Sequence, residues 1–263
     1  MTEPTCKAQI LKLKGTQRQS MEDTLIQESR LDIWLNGKKL VGVVSTPMEL
    51  EALTVGYLIS EHIITQRDDI SAMRLSEDGM RIDVEVEQVN LESLKRLTSE
   101  AVMISGCGKG QTANIDPDLI QKVINQSTYS IPASTITDAM EGFMEHCKLY
   151  EQTGAVHTAQ LIFEDGTYLV AEDLAQHNTI DKVMGKAAMA GREVSRSLLL
   201  LSGRLSSEMV AKSVMHGVPI VASRTAATCL GVKIAEKFGV TLAGFVRGDR
   251  MNLYTVPERI LVS

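Results

Sequence analysis

The sequence predicts an α/β protein made of two parts. Residues 206–246 alternate helix, strand, helix and strand, which is typical of a parallel βαβ arrangement. Residues 31–86 instead contain two strand pairs around the tight turns Asn36-Gly37 and Asp78-Gly79. We therefore expect an N-terminal arm over residues 1–28, an α+β subdomain over 29–100, a cysteine loop and linker over 101–134, and an α/β domain over 135–263.

Composition limits the classes of function. At 263 residues the chain is long enough for a sizeable core. The net charge of −6 argues against a nonspecific nucleic-acid surface but is compatible with a local basic pocket for one anionic ligand. No apolar run reaches the roughly 18 residues that span a bilayer, and we expect no secretory signal, because the first residues include Glu3 and no apolar segment. We expect a cytoplasmic protein without membrane contact, whose four separated cysteines are reduced.

The N-terminal elements follow from local signals. Residues 1–28 are polar and predict an irregular arm or one edge strand. The hairpin over residues 31–44 leads to Thr46-Pro47-Met48-Glu49, which has the pattern of an N-cap, a first-turn proline and a capping box. This pattern predicts a helix that runs to about Ser60.

A second strand pair is expected over residues 70–75 and 80–86, where acidic and aliphatic residues alternate. Short helices are expected over residues 91–100 and 117–125. Residues 136–150 predict one amphipathic helix that carries Cys147 on its apolar side, and this spacing favours a core role for that thiol.

The second half of the chain shows a different order of predicted helices and strands. Residues 156–163 and 168–170 predict a hairpin, and a long helix is expected to follow and to end near Leu199. Helix, strand, helix and strand are then predicted over residues 206–216, 218–222, 225–238 and 240–246. Because ligands of parallel sheets bind beyond the carboxyl ends of the strands, Ser223-Arg224 and residues 247–250 are placed for binding.

Cys107 is the candidate chemical residue. It lies between Gly106 and Gly108, and Gly110 and Lys109 follow closely. Glycines leave a thiol accessible, and a nearby cation favours the reactive thiolate. The alternative is a small buried hydrophobic residue, which is the commoner role of a free cysteine.

Three other polar segments are candidates for binding. Asp173, His177 and Asn178 lie between a strand and a helix, where they could orient a ligand, although Asn178 could equally be the helix N-cap. His157 could face the same cleft or be structural. The segment Ser202-Gly203-Arg204 combines a hydroxyl, a glycine amide and a guanidinium, as anion-binding turns do.

The last candidate segment is Gly244-Phe245-Val246-Arg247-Gly248-Asp249-Arg250-Met251. Two arginines around a glycine after a strand could hold phosphate or could form a solvated hairpin loop. No zinc site is expected, because His157 is followed by Thr158-Ala159 and no paired-cysteine motif occurs later in the chain.

Several short motifs occur in a fixed order along most of the chain. They are Leu35-Asn36-Gly37, Thr46-Pro47, residues 56–61, Ser105-Gly106-Cys107-Gly108, Val156-His157-Thr158-Ala159, Glu172-Asp173 with His177-Asn178 and Asp181-Lys182, Leu201-Ser202-Gly203-Arg204, Lys212, Gly217-Val218-Pro219, Gly244-Phe245 with Arg247, and Tyr254. In order and spacing, this set resembles the FdhD family of formate dehydrogenase accessory sulfur carriers.

The resemblance implies a cytidine-deaminase-like C-terminal domain without zinc ligands and a smaller N-terminal α+β subdomain. It implies that Cys107 carries persulfide sulfur from a cysteine desulfurase to the bis-guanine-dinucleotide molybdenum cofactor, a bound substrate whose site a guanine nucleotide can also occupy. It also implies that formate dehydrogenase is the client and that the protein is a homodimer. Residues 245–251 match the cofactor-binding segment, with residues 202–204, His177 and Asn178 as further candidates.

Two positions depart from the family pattern. Many members carry Cys-Gly-x-Cys, whereas Gly110 stands in the fourth position here, and Ala175-Gln176 replaces the usual Gly-Arg. The first departure leaves a one-cysteine relay chemically sufficient. It also keeps open a noncatalytic chaperone that delivers the cofactor without chemistry at Cys107. A nucleotide hydrolase or deaminase rests on fold analogy alone.

Overall fold

A computed structural model describes residues 3–100 and 127–262. Its strands are β1 (Thr5–Lys14), β2 (Gln17–Ile26), β3 (Ser29–Leu35), β4 (Lys38–Ser45), β5 (Ile70–Leu75), β6 (Arg81–Val86), β7 (Ile131–Pro132), β8 (His157–Phe163), β9 (Tyr168–Asp173), β10 (Ser197–Leu201), β11 (Ile220–Ser223), β12 (Thr241–Arg247), β13 (Arg250–Thr255) and β14 (Ile260–Leu261). Its α-helices are α1 (Leu50–Ser60), α2 (Leu91–Glu100), α3 (Ala133–Gly142), α4 (Lys148–Thr153), α5 (Gln176–Met189), α6 (Ser207–Met215) and α7 (Cys229–Phe238).

The N-terminal part is a four-stranded sheet in the order β4-β3-β6-β5, with α1 on its apolar face. The predicted hairpin is confirmed, since Asn36 and Gly37 have φ angles of 47° and 76° between β3 and β4. Positive φ at both turn residues matches the right-handed twist of the strands. The second strand pair, β5 and β6, is also confirmed and joins β3 through a parallel β3–β6 pair.

The prediction for residues 1–28 was wrong. Strands β1 and β2 form an antiparallel ribbon whose register runs from Thr5 opposite Ile26 to Lys14 opposite Gln17, around a turn at Gly15. Most ribbon side chains are exposed, so neither face needed the apolar alternation by which a strand is recognised.

The predicted N-cap of α1 was also wrong. The helix begins at Leu50, and its capping position is Glu49 in the left-handed conformation. Thr46 is buried and its hydroxyl donates to Asp173 Oδ2 at 3.0 Å. The Thr46 hydroxyl, which the sequence assigned to the start of a helix, therefore binds a buried carboxylate from the other half of the chain. The end of the helix at Ser60 is confirmed.

The C-terminal part is a six-stranded sheet in the order β13-β12-β11-β10-β8-β9. Strands β10, β11 and β12 are parallel, which confirms the βαβ prediction, and β8 and β13 flank them in antiparallel pairs. Helices α5, α6 and α7 pack on one face, and α3 with the turn after it packs on the other.

Two helix predictions in this part need correction. The long helix ends at Met189, not near Leu199, because Ser197–Leu201 is a fully buried central strand. A strand buried on both faces is continuously apolar, and such a run is hard to tell from a helix. The helix predicted over residues 136–150 is instead α3, a 3₁₀ turn and α4, although Cys147 is buried as expected. The helix predicted over residues 117–125 lies outside the described residues.

The two parts meet where α1 crosses α5. A Cβ atom built on Gly56 would lie 1.8 Å from the Asp181 carbonyl oxygen, and one on Gly185 would lie 1.9 Å from the Ala52 carbonyl oxygen. Glycine at both positions lets the two backbones touch. Within the described residues, no helix is both long and apolar enough to span a membrane.

Buried ion pairs complete this contact. Lys182 Nζ lies 2.6 Å from Asp173 Oδ2, and Lys212 Nζ lies 2.8 Å from Asp181 Oδ2. Ser60 donates to Asp181 Oδ1 at 2.6 Å. Buried charges are tolerated only when they are paired and hydrogen-bonded, and every one of these groups is. The buried polar residues of α5 thus hold the two parts together.

Candidate functional site

Polar loops gather at one edge of the six-stranded sheet. The parallel strands β10, β11 and β12 all end there, so Ser202, Arg224 and Arg247 leave the sheet on the same side. Strand β8 runs in the opposite direction, which brings its first residue, His157, to the same edge, where it pairs with Asp173. The predicted convergence of strand ends is confirmed, and we call this region the arginine edge.

The Ser202-Gly203-Arg204 turn is held on both sides. The Ser202 hydroxyl accepts a hydrogen bond from the Thr158 amide at 2.9 Å and lies 3.2 Å from His157 Nδ1. On the other side, Gln176 Nε2 donates to the Arg204 carbonyl oxygen at 2.9 Å. A Cβ atom on Gly203 would lie 2.4 Å from Gln176 Oε1, so glycine lets this amide lie flat against the turn.

Four guanidinium groups belong to the arginine edge, those of Arg204, Arg224, Arg247 and Arg250. Arg204, Arg247 and Arg250 are exposed and Arg224 is half-buried. Within residues 3–100 and 127–262, none of these four guanidinium groups forms a hydrogen bond or an ion pair. Unpaired arginines that converge on one edge can bind phosphate oxygens in bidentate fashion. Burial and the nearby charge of Arg204 both lower the pKa of His157, so this imidazole is neutral at pH 7.

Phe245 is the most unusual residue of the edge. Its φ angle is 54°, and it lies where the register of β12 and β13 shifts. A bulge can re-aim a side chain, and a bulky residue with positive φ is a costly conformation. Phe245 is 42% exposed and lies at the arginine edge. An exposed aromatic face on a strained backbone can stack on a nucleobase.

The rest of the predicted C-terminal segment divides into two groups. Gly248 and Asp249 form the exposed turn between β12 and β13, so the segment is a hairpin loop as well as an arginine-bearing edge. Val246 is fully buried in the core under α3, and half-buried Met251 packs against the same core. The side chain of Val246 therefore does not fit the predicted contact with a cofactor, and only its backbone is available.

Asp173 and Asn178 face the interior. Asn178 is 1% exposed, and its amide donates to Val44 O and to Asp173 Oδ1, both at 2.9 Å. This geometry does not fit direct contact with a cofactor. The alternative of an N-cap was wrong too, because Ala175 is the capping residue of α5. Both side chains instead join α5 to the N-terminal sheet.

His177 is the exposed member of this group. Its side chain is 24% exposed, and its Nδ1 lies 3.9 Å from Glu208 Oε1. Burial and the charge of Lys212 lower its pKa, so it too is neutral at pH 7. The predicted binding role of His177 therefore stays a prediction that the geometry permits.

Cys107 and the rest of residues 103–110 lie outside the described residues. Among residues 3–100 and 127–262, no three His, Cys, Asp or Glu side chains are grouped as metal ligands. Sequence reasoning placed Ser223 at this edge but missed Gln176 and Thr225. The signal for Ser223 was its place directly after a predicted strand, whereas nothing in the sequence indicated that Gln176 reaches the Arg204 turn.

Comparisons with known proteins agree over nearly the whole chain. A model of the FdhD/NarQ family matches residues 26–261. The sulfur carrier protein FdhD of Wolinella succinogenes is 41% identical, over 98% of this chain and 91% of that protein. The protein of the same name from Bacillus subtilis is 34% identical, over 91% of each chain.

A solved structure agrees as well. It is that of a Desulfotalea psychrophila protein described as a formate dehydrogenase accessory protein, with a TM-score of 0.79 and 26% identity, and the match covers 98% of this chain and 100% of that one. The mixed α/β architecture is therefore shared, whereas the expected likeness to cytidine deaminases stays a prediction. The family match and the identities together show that this chain belongs to the FdhD/NarQ family.

Proposed function

We propose that this protein is a sulfur carrier that acts in the maturation of formate dehydrogenase. The relatives that match nearly the full chain are named sulfur carrier proteins, which supports the class of function. The observation that carries the proposal is the arginine edge, where four guanidinium groups without partners in the described residues lie at the same end of the sheet as the exposed Phe245.

The substrate that fits this edge is a guanine dinucleotide form of the molybdenum cofactor. Its phosphates would lie against Arg204, Arg224, Arg247 and Arg250, because guanidinium groups match phosphate oxygens in geometry and charge. Its guanine would stack on Phe245, a contact worth about 1–3 kcal/mol per base. A free guanine nucleotide offers the same groups and would occupy the same edge.

Cys107 is the residue that we propose for sulfur transfer. Its thiolate would attack the terminal sulfur of a cysteine desulfurase persulfide. A new S–S bond forms at Cys107, the S–S bond of the donor breaks, and the donor leaves as a thiolate. The sulfur carried on Cys107 would then be presented to the cofactor held at the arginine edge, and a homodimer is the assembly that we expect.

Mass spectrometry of the intact protein tests the sulfur step. After incubation with a cysteine desulfurase and cysteine, peptide mapping should place one added sulfur on Cys107. Cys229→Ser is the matched control, because Cys229 is an exposed thiol outside the proposed relay and its loss should leave the adduct unchanged. Sulfur on Cys229 or Cys6 with none on Cys107 would overturn the proposal.

Maturation of formate dehydrogenase by two variants separates the carrier from a noncatalytic chaperone. A chaperone would bind the cofactor at the arginine edge and would deliver it equally well as Cys107→Ala. Full maturation by that variant, together with loss of maturation in Arg247→Ala, would favour the chaperone.

A further inference from the structure

The two segments that carry the arginine edge are joined by a buried hydroxyl. One segment is the Ser202-Gly203-Arg204 turn after β10, and the other is the β12–β13 hairpin from Phe245 to Arg250. They are not adjacent in the sheet, because β11 lies between β10 and β12. Ser223, the last residue of β11, lies between them and is fully buried.

Ser223 has a complete set of partners. Its Oγ donates to the Gly203 carbonyl oxygen at 2.6 Å, accepts from the Thr225 amide at 3.1 Å and lies 3.1 Å from Thr225 Oγ1. A hydroxyl has one donor and two acceptor sites. Because the single proton of Ser223 is used on Gly203, Thr225 Oγ1 must be the donor in the third contact, and all three sites are filled.

Thr225 passes the connection on to Phe245. The Phe245 amide donates to the Thr225 carbonyl oxygen at 3.0 Å, at the point where the backbone takes its positive φ angle. A Cβ atom on Gly244 would lie 2.9 Å from that same carbonyl oxygen, so glycine allows the close approach. An unbroken series of hydrogen bonds thus runs from Gly203 through Ser223 and Thr225 to Phe245.

Gln176 fixes the far side of the same turn. Its amide donates to the Arg204 carbonyl oxygen and lies against Gly203, so the turn is held from α5 on one side and from β11 on the other. The backbone that carries Arg204 is therefore set before any ligand arrives, which lowers the entropic cost of binding.

We propose that Ser223 is a positioning residue that sets the spacing between the Arg204 turn and the Phe245 bulge, so that one nucleotide can contact both. This inference rests on the proposed guanine-nucleotide site. Ser223 does not touch the ligand, since it is buried, and it acts through the two segments that it joins. Loss of Ser223 should therefore weaken the binding of ligands that span both segments more than the binding of ligands that contact only one.

The test compares two ligands by titration calorimetry on the full chain. GDP would place its phosphates at the arginines and its guanine on Phe245, whereas inorganic pyrophosphate has no base and would not contact Phe245. Ser223→Ala removes all three hydrogen bonds of the Oγ, and it should weaken GDP binding about tenfold and pyrophosphate binding less than threefold. Ser223→Thr keeps the hydroxyl and should bind GDP to within about threefold of the original protein.

Ser213→Ala is the matched control. Ser213 is a fully buried serine of α6 whose hydroxyl donates to the Met209 carbonyl oxygen at 2.8 Å, so its loss removes a similar hydrogen bond away from the edge. GDP binding should be unchanged in this variant. If Ser223→Ala does not fold, Gln176→Ala tests the other support of the turn and should weaken GDP binding with the same preference over pyrophosphate.

The outcomes are distinct. Unchanged GDP affinity in Ser223→Ala and in Gln176→Ala, with binding by the original protein, would overturn the positioning role and leave the proposed site in place. Equal losses for GDP and pyrophosphate would indicate general loosening of the edge and would also overturn it. Absence of GDP binding by the original protein would overturn both the proposed site and this inference.

Discussion

Gly56→Ala tests the contact between the two halves of the molecule. The added Cβ atom would lie 1.8 Å from the Asp181 carbonyl oxygen, whereas an ordinary contact is at least 3.4 Å. Helices α1 and α5 would have to separate by about 1.6 Å, the difference of these distances. Overpacking of a well-filled core typically costs about 1–3 kcal/mol, and here a rigid backbone is the obstacle, so we expect a loss of at least about 3 kcal/mol.

The loss of stability in Gly56→Ala should be larger than packing alone suggests, because the same movement pulls Ser60 away from Asp181 and loosens the Asp181–Lys212 ion pair. A buried pair that loses partners is strongly destabilising. Urea unfolding followed by circular dichroism measures the free energy of unfolding for each variant.

Gly142→Ala is the matched control. Gly142 ends helix α3, and a Cβ atom there would meet nothing within 4 Å. Since alanine favours helix over glycine by up to about 1 kcal/mol, this variant should be as stable as the original protein or slightly more stable. Equal unfolding free energies for Gly56→Ala and Gly142→Ala would refute the close helix contact.

Three further predictions concern charge and strain. Burial lowers the pKa of His216 to about 4, so the unfolded state binds the proton first as the pH falls from 6.5. The free energy of unfolding should therefore drop by about 3 kcal/mol between pH 6.5 and 4. Urea midpoints measure this drop, which should be smaller in His216→Gln. Arg224→Gln should weaken GDP binding about tenfold in calorimetry, whereas Arg18→Gln on the exposed ribbon should have no effect. Phe245→Gly should raise the free energy of unfolding by about 1 kcal/mol, because glycine relieves the strain of the positive φ angle. The same variant should weaken GDP binding at least tenfold, because the stacking ring is lost. A loss of stability together with a loss of binding would contradict this prediction.

Local patterns were enough for much of the fold. The Asn36-Gly37 turn and the alternating residues of β6 define their strands without help from distant contacts. The order of helices and strands after Ser206 likewise predicted the parallel sheet and the edge at which the arginines converge. These features depend on neighbours in sequence, which is why the sequence could reveal them.

The failures arose where distant residues decide the structure. Thr46 has the signature of an N-cap but binds Asp173, which lies 127 positions away. Asn178 is polar yet buried, because Val44 and Asp173 supply its partners. The β10 strand was taken for the end of a helix because a strand covered on both faces shows no alternation. Only the assembled fold supplies these partners.

Cys107 is the residue on which the proposed function depends most directly. The decisive measurement is formate dehydrogenase activity in a bacterial strain that lacks its own accessory protein and expresses this chain or its variants. The original protein and Cys229→Ser should restore activity, and Cys107→Ala should give less than about 1% of it while accumulating to the same level. Full activity with Cys107→Ala would contradict sulfur transfer through this cysteine.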